Sequence, residues 1–400
     1  MTVFSNWAGN VRFSPAEILE PATAENCVET LRELIRQKRR IRILGGNHSF
    51  SPLLETDGAL VDLGSLSGII AVDHDARTVT VAGGTRLADI GAELWRHGYS
   101  LANQGDIDVQ TVAGAIATGT KGSSAFTGSL SASVRAMTIL NGTGEVVEID
   151  ARTPDLLAAA RVSLGLLGVV LAVTLDVVPA YWLRERIFAA PMEDILKDQA
   201  RLSREHHHFS YWWMPQDASH EMYALPPTPK GHCLVKILDK VEEGTAAGPG
   251  ERVGEGWRIY PDGTTEAKFH EMEYMVPEAS AAGIIVTLRD RMQSAFPHEI
   301  SPLQVRWQGP DDGMISPQSG RDTISLSLSG RIGTDYVPFL RAAHSVMMEH
   351  LGRAHWGKIH FMSRADVDRV YPRAGDFRAI RRAMDPDGLF LNGHLAEFFA

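Results

Sequence analysis

Four hundred residues, 44% of them hydrophobic, exceed one ordinary domain and suffice for sizeable cores, so two domains are expected. A net charge of −10 argues against nucleic acid or an anionic membrane as the main partner. Cys27 and Cys233 are the only cysteines, which excludes a disulfide framework and suits a reducing, cytoplasmic compartment.

The start of the chain, Met1 to Trp7, lacks the basic residues and apolar run of a secretory signal. Ala24 to Gln37 places Cys27, Val28, Leu31, Leu34 and Ile35 at helical spacing. Strand-like runs follow at Ile41–Leu44, Leu60–Leu63 and Thr78–Ala82, with a second helical pattern over Leu87 to His97. Val134–Leu140 and Glu145–Ile149 read as a hairpin closed at Asn141-Gly142. A helix over Leu156–Leu164 then leads into a strand over Val169–Val178. The longest apolar stretch, Leu164 to Leu175, is broken by Gly165 and Gly168 and is too short to span a bilayer. Beyond Ala180 the texture changes: Ser210 to Pro215 is an aromatic cluster, and Val241 to Thr265, rich in glycine and charge, is expected to be a long surface loop.

Two glycine-rich segments carry the chemistry. Leu44-Gly-Gly-Asn-His-Ser-Phe50 follows a predicted strand directly. Gly105 to Thr120 is a run of small residues and hydroxyls with little apolar surface to bury, so it is expected to add little core. Such segments can bring bare backbone N–H groups to an anion, and two of them suggest a pyrophosphate held between loops. Two tight connections of an α/β protein would explain the same composition. No G-x-G-x-x-G follows a strand, and Thr120 between Gly119 and Lys121 breaks the nucleotide-triphosphate loop pattern.

The segments Gly45–Phe50, Asp106–Gly114 with Ala117–Thr120, and Ser163–Val169 resemble successive FAD-binding segments of the vanillyl-alcohol-oxidase flavoprotein family. The resemblance continues through Glu271–Pro277, His355-Trp-Gly-Lys358 and Asp385–Asn392. Within the family it is strongest to the sugar-acid branch: L-gulonolactone and D-arabinonolactone oxidases or dehydrogenases, and the alditol oxidases. It implies an α+β chain with a PCMH-type FAD-binding domain at 1–179, an α+β substrate or cap domain at 180–374, and a return to the FAD domain at 375–400.

The implied cofactor is FAD, joined covalently through His48, which matches the histidine that such oxidases bond to the flavin 8-methyl group. The implied cofactor-binding set is Gly45, Gly46, Asn47, His48, Ser49, Gly105, Asp108, Gly114, Thr118, Gly119, Gly122, Gly165, Gly168, Val169, Lys358 and Asn392. Lys358 would stabilise the anionic reduced flavin at its N1–C2 edge. Arg306 would bind the substrate oxygen, and alternation puts Gln304 on the same strand face. Where the family's Glu-x-Arg has its glutamate, this chain has Gln304, which cannot accept a proton. Ser327 stands where alditol oxidases carry a histidine, and Lys121 replaces the histidine of Gly-Thr-His-Gly.

Glu273 and Tyr274 could line the pocket or serve only as strand, and Asn392 and His394 could contact the flavin from the C-terminal tail. Adjacent residues of a strand point to opposite faces, so His206-His207-His208 is not expected to hold a metal. The expected activity is oxidation of a sugar-derived carbinol, an aldono-1,4-lactone first and an alditol or a modified sugar of a biosynthetic pathway second, by a catalytic set of Lys358, Arg306 and Gln304, with Gln304, Arg306 and Ser327 binding substrate. The acceptor, dioxygen or another molecule, is left open.

Overall fold

The computed structural model describes residues 3–261 and 267–400. Near the N-terminus a parallel three-stranded sheet has the order Glu17–Leu19, Ala59–Asp62, Ile41–Leu44. The helix Ala24–Arg36 joins the outer two of these strands. Thr23 caps it by accepting from Asn26 N at 3.2 Å, and Cys27, Leu31, Leu34 and Ile35 form its buried stripe.

Beside this sheet lies an antiparallel sheet of five strands in the order Val146–Ile149, Val134–Leu140, Val169–Asp176, Thr78–Ala82, Ile69–Asp73. One apolar cluster joins the two sheets through Ala59, Val61, Ala82, Leu140 and Val169. It also takes in Leu389 and Phe390, so the C-terminal segment returns to the N-terminal core.

The largest sheet has eight antiparallel strands, in the order Glu251–Glu255, Trp182–Pro191, His232–Val241, His208–Trp213, Leu303–Gln308, Thr323–Gly330, His270–Pro277, Arg353–Ala354. Strand alternation gives it two different faces. Tyr211, Val235, Val305, Trp307, Leu326, Tyr274 and Val276 join the main core with residues of the helices Met192–Glu205, Ala281–Ala295 and Val337–Glu349. The other face carries Gln304, Arg306, Ser325, Ser327, Glu271 and Glu273, all buried. Burying so many polar groups on one face requires partners for them, and those partners define the site.

Two expectations fail locally. The Gly105–Thr120 run does contribute core: Val112–Thr118 is a helix, and Val112, Ala115 and Ile116 sit in the largest cluster. Its small residues allow close packing around the helix, and Gly119, at φ +73°, ends it in the left-handed region. The stretch after Val241 is not wholly loop either, since Glu251–Glu255 pairs with Trp182–Pro191 as an edge strand and Gly256–Ile259 is a short helix. Residues 262–265 of that expected loop lie outside the described residues. Among the described residues, no helix is long and apolar enough to cross a membrane.

Candidate active site between the glycine-rich loops and the large sheet

The strand Ile41–Leu44 delivers the chain into Gly45 and Gly46, which press against the second glycine-rich segment. A Cβ on Gly46 would lie 2.8 Å from Gln110 Cα and from Val109 O, and one on Gly45 would lie 2.7 Å from Thr111 Oγ1. Only glycine permits this approach. Asn47 follows at φ +59°, and its carbonyl accepts from Trp7 N at 3.0 Å. The Trp7 ring stacks on His48 with centroids 4.9 Å apart, so the N-terminal segment covers this loop. Burial, and then the charges of Lys358 and Arg86, hold the His48 imidazole down at about 4, hence neutral near pH 7.

The turn His355–Lys358 hangs from the strand His270–Pro277, through His355 N to Glu273 O at 2.9 Å and Ile359 N to Glu271 O at 2.8 Å. Gly357 O accepts from Phe50 N at 2.7 Å, which ties the turn to the first loop. Lys358 Nζ lies 4.8 Å from the centre of the Phe50 ring and pairs with Glu271. Downstream of the second loop, Ser124 N donates to Trp307 O at 2.8 Å and Trp307 N to Ser123 Oγ at 3.0 Å. That pairing brings Lys121 onto the polar face of the large sheet.

There the charges interlock. Glu273 Oε1 accepts from Arg306 Nη2 at 2.7 Å and from Lys121 Nζ, which also donates to Ser325 Oγ at 3.0 Å. Arg306 Nη1 donates to Asp106 Oδ2 at 2.7 Å, and Gln304 Nε2 reaches the same oxygen at 3.4 Å. Burial alone would raise the Glu273 carboxyl, but Arg306 and Lys121 outweigh it and keep Glu273 ionised. Burial also pulls Lys121 down to about 8, with Arg306 adding to the effect and Glu273 opposing it. Lys121, Arg306 and Lys358 are thus matched by Asp106, Glu271 and Glu273, as burial of charge requires.

One cavity touches all of these parts. Of the expected cofactor set, Gly45, Gly46, Asn47, His48, Ser49, Gly105, Gly114, Thr118, Gly165, Gly168 and Lys358 line it, as do Gln304 and Arg306. Asp108 and Gly122 line a smaller neighbouring pocket, and Gly119 and Val169 line neither. Asn392 works elsewhere: it caps the helix Gly393–Phe399 and donates to Pro52 O at 2.8 Å and Glu55 O at 2.9 Å, tying down the C-terminal segment. His394 is also away from the cavity, packed against His360 and Phe398.

Ser327, fully buried on the polar face of the large sheet between Gln304 and Glu273, does not line the cavity and donates its hydroxyl to Glu271. Of the undecided pair, Glu273 faces the cavity, whereas Tyr274 points the other way and bonds His344 Nδ1 at 2.8 Å. The three adjacent histidines go to three partners: His206 to Asp239, His207 to Tyr260 and His208 to Ser210.

Sequence reasoning missed Glu271, Asp106 and an aromatic wall of Trp7, Trp212, Tyr223 and Phe269. Two-residue alternation from Glu273 would have found Glu271. Nothing local marks Asp106, because its partners are far away in the chain.

The cavity fits FAD on its own features. Asn47 and Gln110 line it, and their buried Oδ1 and Oε1 have no hydrogen-bond partner among the described residues, as expected of a site that takes a polar ligand. The neutral His48 ring and the Lys358 ammonium stand at the same cavity, beside glycines that keep the backbone accessible.

Comparison with known proteins agrees. Residues 15–150 match the FAD binding domain, and residues 233–398 match the D-arabinono-1,4-lactone oxidase domain. An alditol oxidase from Streptomyces sp. is 30% identical across 99% of each chain. The L-gulono-1,4-lactone dehydrogenase of Mycobacterium tuberculosis is 28% identical across 98% of each. L-gulonolactone oxidase from Bos taurus is 28% identical across 99% of this chain and 98% of its own. Among solved structures, cholesterol oxidase from B. sterolicum superposes with a TM-score of 0.80 at 15% identity, covering 100% of this chain and 96% of its own, a likeness of fold alone. A loop cradle suited to FAD, facing a sheet suited to a polyhydroxylated substrate, is thus matched along the whole chain by known relatives. The chain belongs to the sugar-acid branch of the vanillyl-alcohol-oxidase family, the FAD-dependent aldonolactone and alditol oxidoreductases.

Proposed function

We propose that this enzyme oxidises a carbinol carbon of an aldono-1,4-lactone of the L-gulonolactone or D-arabinonolactone type. The observation that carries the reading is the Lys121–Glu273–Arg306–Asp106 network on the cavity wall, facing the two glycine-rich loops. FAD, when bound, supplies the two-electron acceptor for the hydride leaving the substrate carbon. His48 is the residue that would attach it covalently: its ring is neutral near pH 7 and therefore nucleophilic. Asn47, Gln110, Thr118 and Lys358 would hold its polar groups.

Each protein group has a task set by its position. Arg306, rigidly held by two carboxylates, directs its guanidinium at a substrate oxygen and stabilises negative charge developing there. Gln304 donates a hydrogen bond without accepting a proton. Lys358 supplies positive charge on the cofactor side of the cavity. Trp212, Tyr223 and Phe269 give the sugar ring an apolar wall and limit water. Matched charges on this wall favour an uncharged lactone or polyol over a sugar carboxylate.

A second reading, oxidation of an alditol of the xylitol type, is favoured by the 30% identity to alditol oxidase. Steady-state turnover of L-gulono-1,4-lactone, D-arabinono-1,4-lactone and xylitol by wild-type enzyme and Arg306→Ala separates the readings. Turnover of a lactone, abolished by Arg306→Ala, is expected. Preference for xylitol selects the alditol, and undiminished turnover by Arg306→Ala removes the site.

A further inference from the structure

Gln304 leaves the strand Leu303–Gln308 without a carboxylate beside Arg306, yet oxidation of a carbinol releases a hydroxyl proton as well as a hydride. Three carboxylates reach the cavity, and their surroundings differ. Glu273 is almost wholly enclosed, its side chain 1% exposed, and it is held between Arg306 and Lys121. Glu271 has both oxygens engaged, Oε1 by Ser327 and Oε2 by Lys358. Asp106 has its Oδ2 fixed by Arg306 and Gln304, while Oδ1 accepts no hydrogen bond among the described residues. Its side chain is 16% exposed, the most open of the three, so a proton received there can pass on to water.

We propose that Asp106, from the second glycine-rich loop, accepts the substrate hydroxyl proton in this enzyme, in place of the carboxylate that Gln304 lacks. Arg306 and Gln304 then have two tasks: they hold the substrate oxygen, and they aim the carboxylate so that Oδ1 faces it. The balance is complete. The C–H bond breaks with its electron pair transferred as hydride to FAD, which is reduced by two electrons. The substrate O–H bond breaks, an O–H bond forms at Asp106 Oδ1, and the substrate carbon becomes a carbonyl. The Asp106 carboxylate is a weak base because Arg306 lies against it, but the hydroxyl becomes strongly acidic as hydride departs, so transfer is favourable late in the step.

This assignment rests on the substrate being a hydroxyl-bearing sugar derivative, and the wild-type control tests that premise separately. The experiment follows anaerobic flavin bleaching of the holoenzyme by L-gulono-1,4-lactone or xylitol, whichever reduces the wild type. It compares wild type, Asp106→Asn, Asp106→Glu and Asp106→Asn/Gln304→Glu. Asparagine keeps an oxygen for Arg306 but cannot take the proton. It should slow bleaching roughly 10²- to 10⁴-fold. Affinity for dithionite-reduced holoenzyme, measured by calorimetry, should change by less than about fivefold. Asp106→Glu should retain most of the rate, and returning a carboxylate at position 304 should restore at least about tenfold.

Bleaching by Asp106→Asn within about threefold of wild type overturns the assignment, as does a large loss of affinity at unchanged rate, which would mark a role in positioning alone. A double variant no faster than Asp106→Asn also counts against it. If neither compound bleaches the wild type, the substrate reading and this assignment fall together.

Discussion

Gly46→Ala is the substitution that most directly probes how the two loops make one cofactor site. A Cβ there would sit 2.8 Å from the backbone atoms Gln110 Cα and Val109 O, against 3.4 Å or more in ordinary contact. The loops must therefore part by 3.4 − 2.8 = 0.6 Å, and neither obstacle is a side chain that can swing away. Overpacking of this kind costs about 1–3 kcal/mol. If the strain falls on the cofactor-competent arrangement, each ~1.4 kcal/mol weakens retention of non-covalent flavin about tenfold. The same strain would lower the fraction of flavin that becomes acid-precipitable, the measure of covalent linkage. Gly283→Ala is the control. It lies exposed in the helix Ala281–Ala295 with nothing within 4 Å of an added Cβ, and should stabilise the fold by about 1 kcal/mol. Flavin-to-protein absorbance ratios and thermal unfolding of both variants decide the matter. Full flavin occupancy and unchanged stability in Gly46→Ala would refute direct contact between the loops.

Lys358→Met keeps an aliphatic stem over Phe50 but removes the ammonium, and should slow anaerobic flavin reduction roughly 10²- to 10³-fold in stopped-flow traces. Glu273→Gln leaves Lys121 without its carboxylate. The ordinary lysine value is 10.5 and burial already holds Lys121 at about 8, so loss of Glu273, which opposes that fall, should lower it further and favour loss of its proton. Neutralisation caps the added cost at the step from about 8 to 7, about 1–2 kcal/mol by chemical unfolding. Above about pH 8 wild-type Lys121 is itself neutral, so the penalty should shrink there. In cofactor-free protein His48, held at about 4 against an ordinary 6.5, takes up protons more readily when unfolded. Its contribution is therefore complete above pH 6.5 and lost as pH falls toward 4, by no more than about 3 kcal/mol, and His48→Gln should flatten that part of the stability profile.

Periodic segments were legible in the sequence because each has one buried and one exposed side. The helix Ala24–Arg36 and the hairpin Val134–Leu140 with Val146–Ile149 appear within a residue of their expected bounds. Alternation also placed Gln304 and Arg306 together on one face of their strand. The helix Val112–Thr118 escaped because its small residues offer no polar side for contrast, and the strand Glu251–Glu255 because a charged sheet edge reads as loop. Asp106 could not be assigned from its neighbours, since it meets Arg306 across 200 residues of sequence. The surroundings of Ser327 were hidden in the sequence for a related reason. Strand parity and register put it on the polar face between Glu273 and Gln304, but it is fully buried there and its hydroxyl is engaged by Glu271. Family motifs identified the loops, while the tertiary pairing of charges determines which residues can reach a substrate.

One cavity, built from the glycine-rich loops and the polar face of the large sheet, is assigned here the oxidation of a sugar-type carbinol on FAD. An anaerobic absorbance spectrum of the purified protein before and after adding L-gulono-1,4-lactone tests it most directly. The flavin bands should bleach on addition, and readmitted air then shows whether dioxygen reoxidises the cofactor. A yellow protein that neither this lactone, D-arabinono-1,4-lactone nor xylitol bleaches would contradict it.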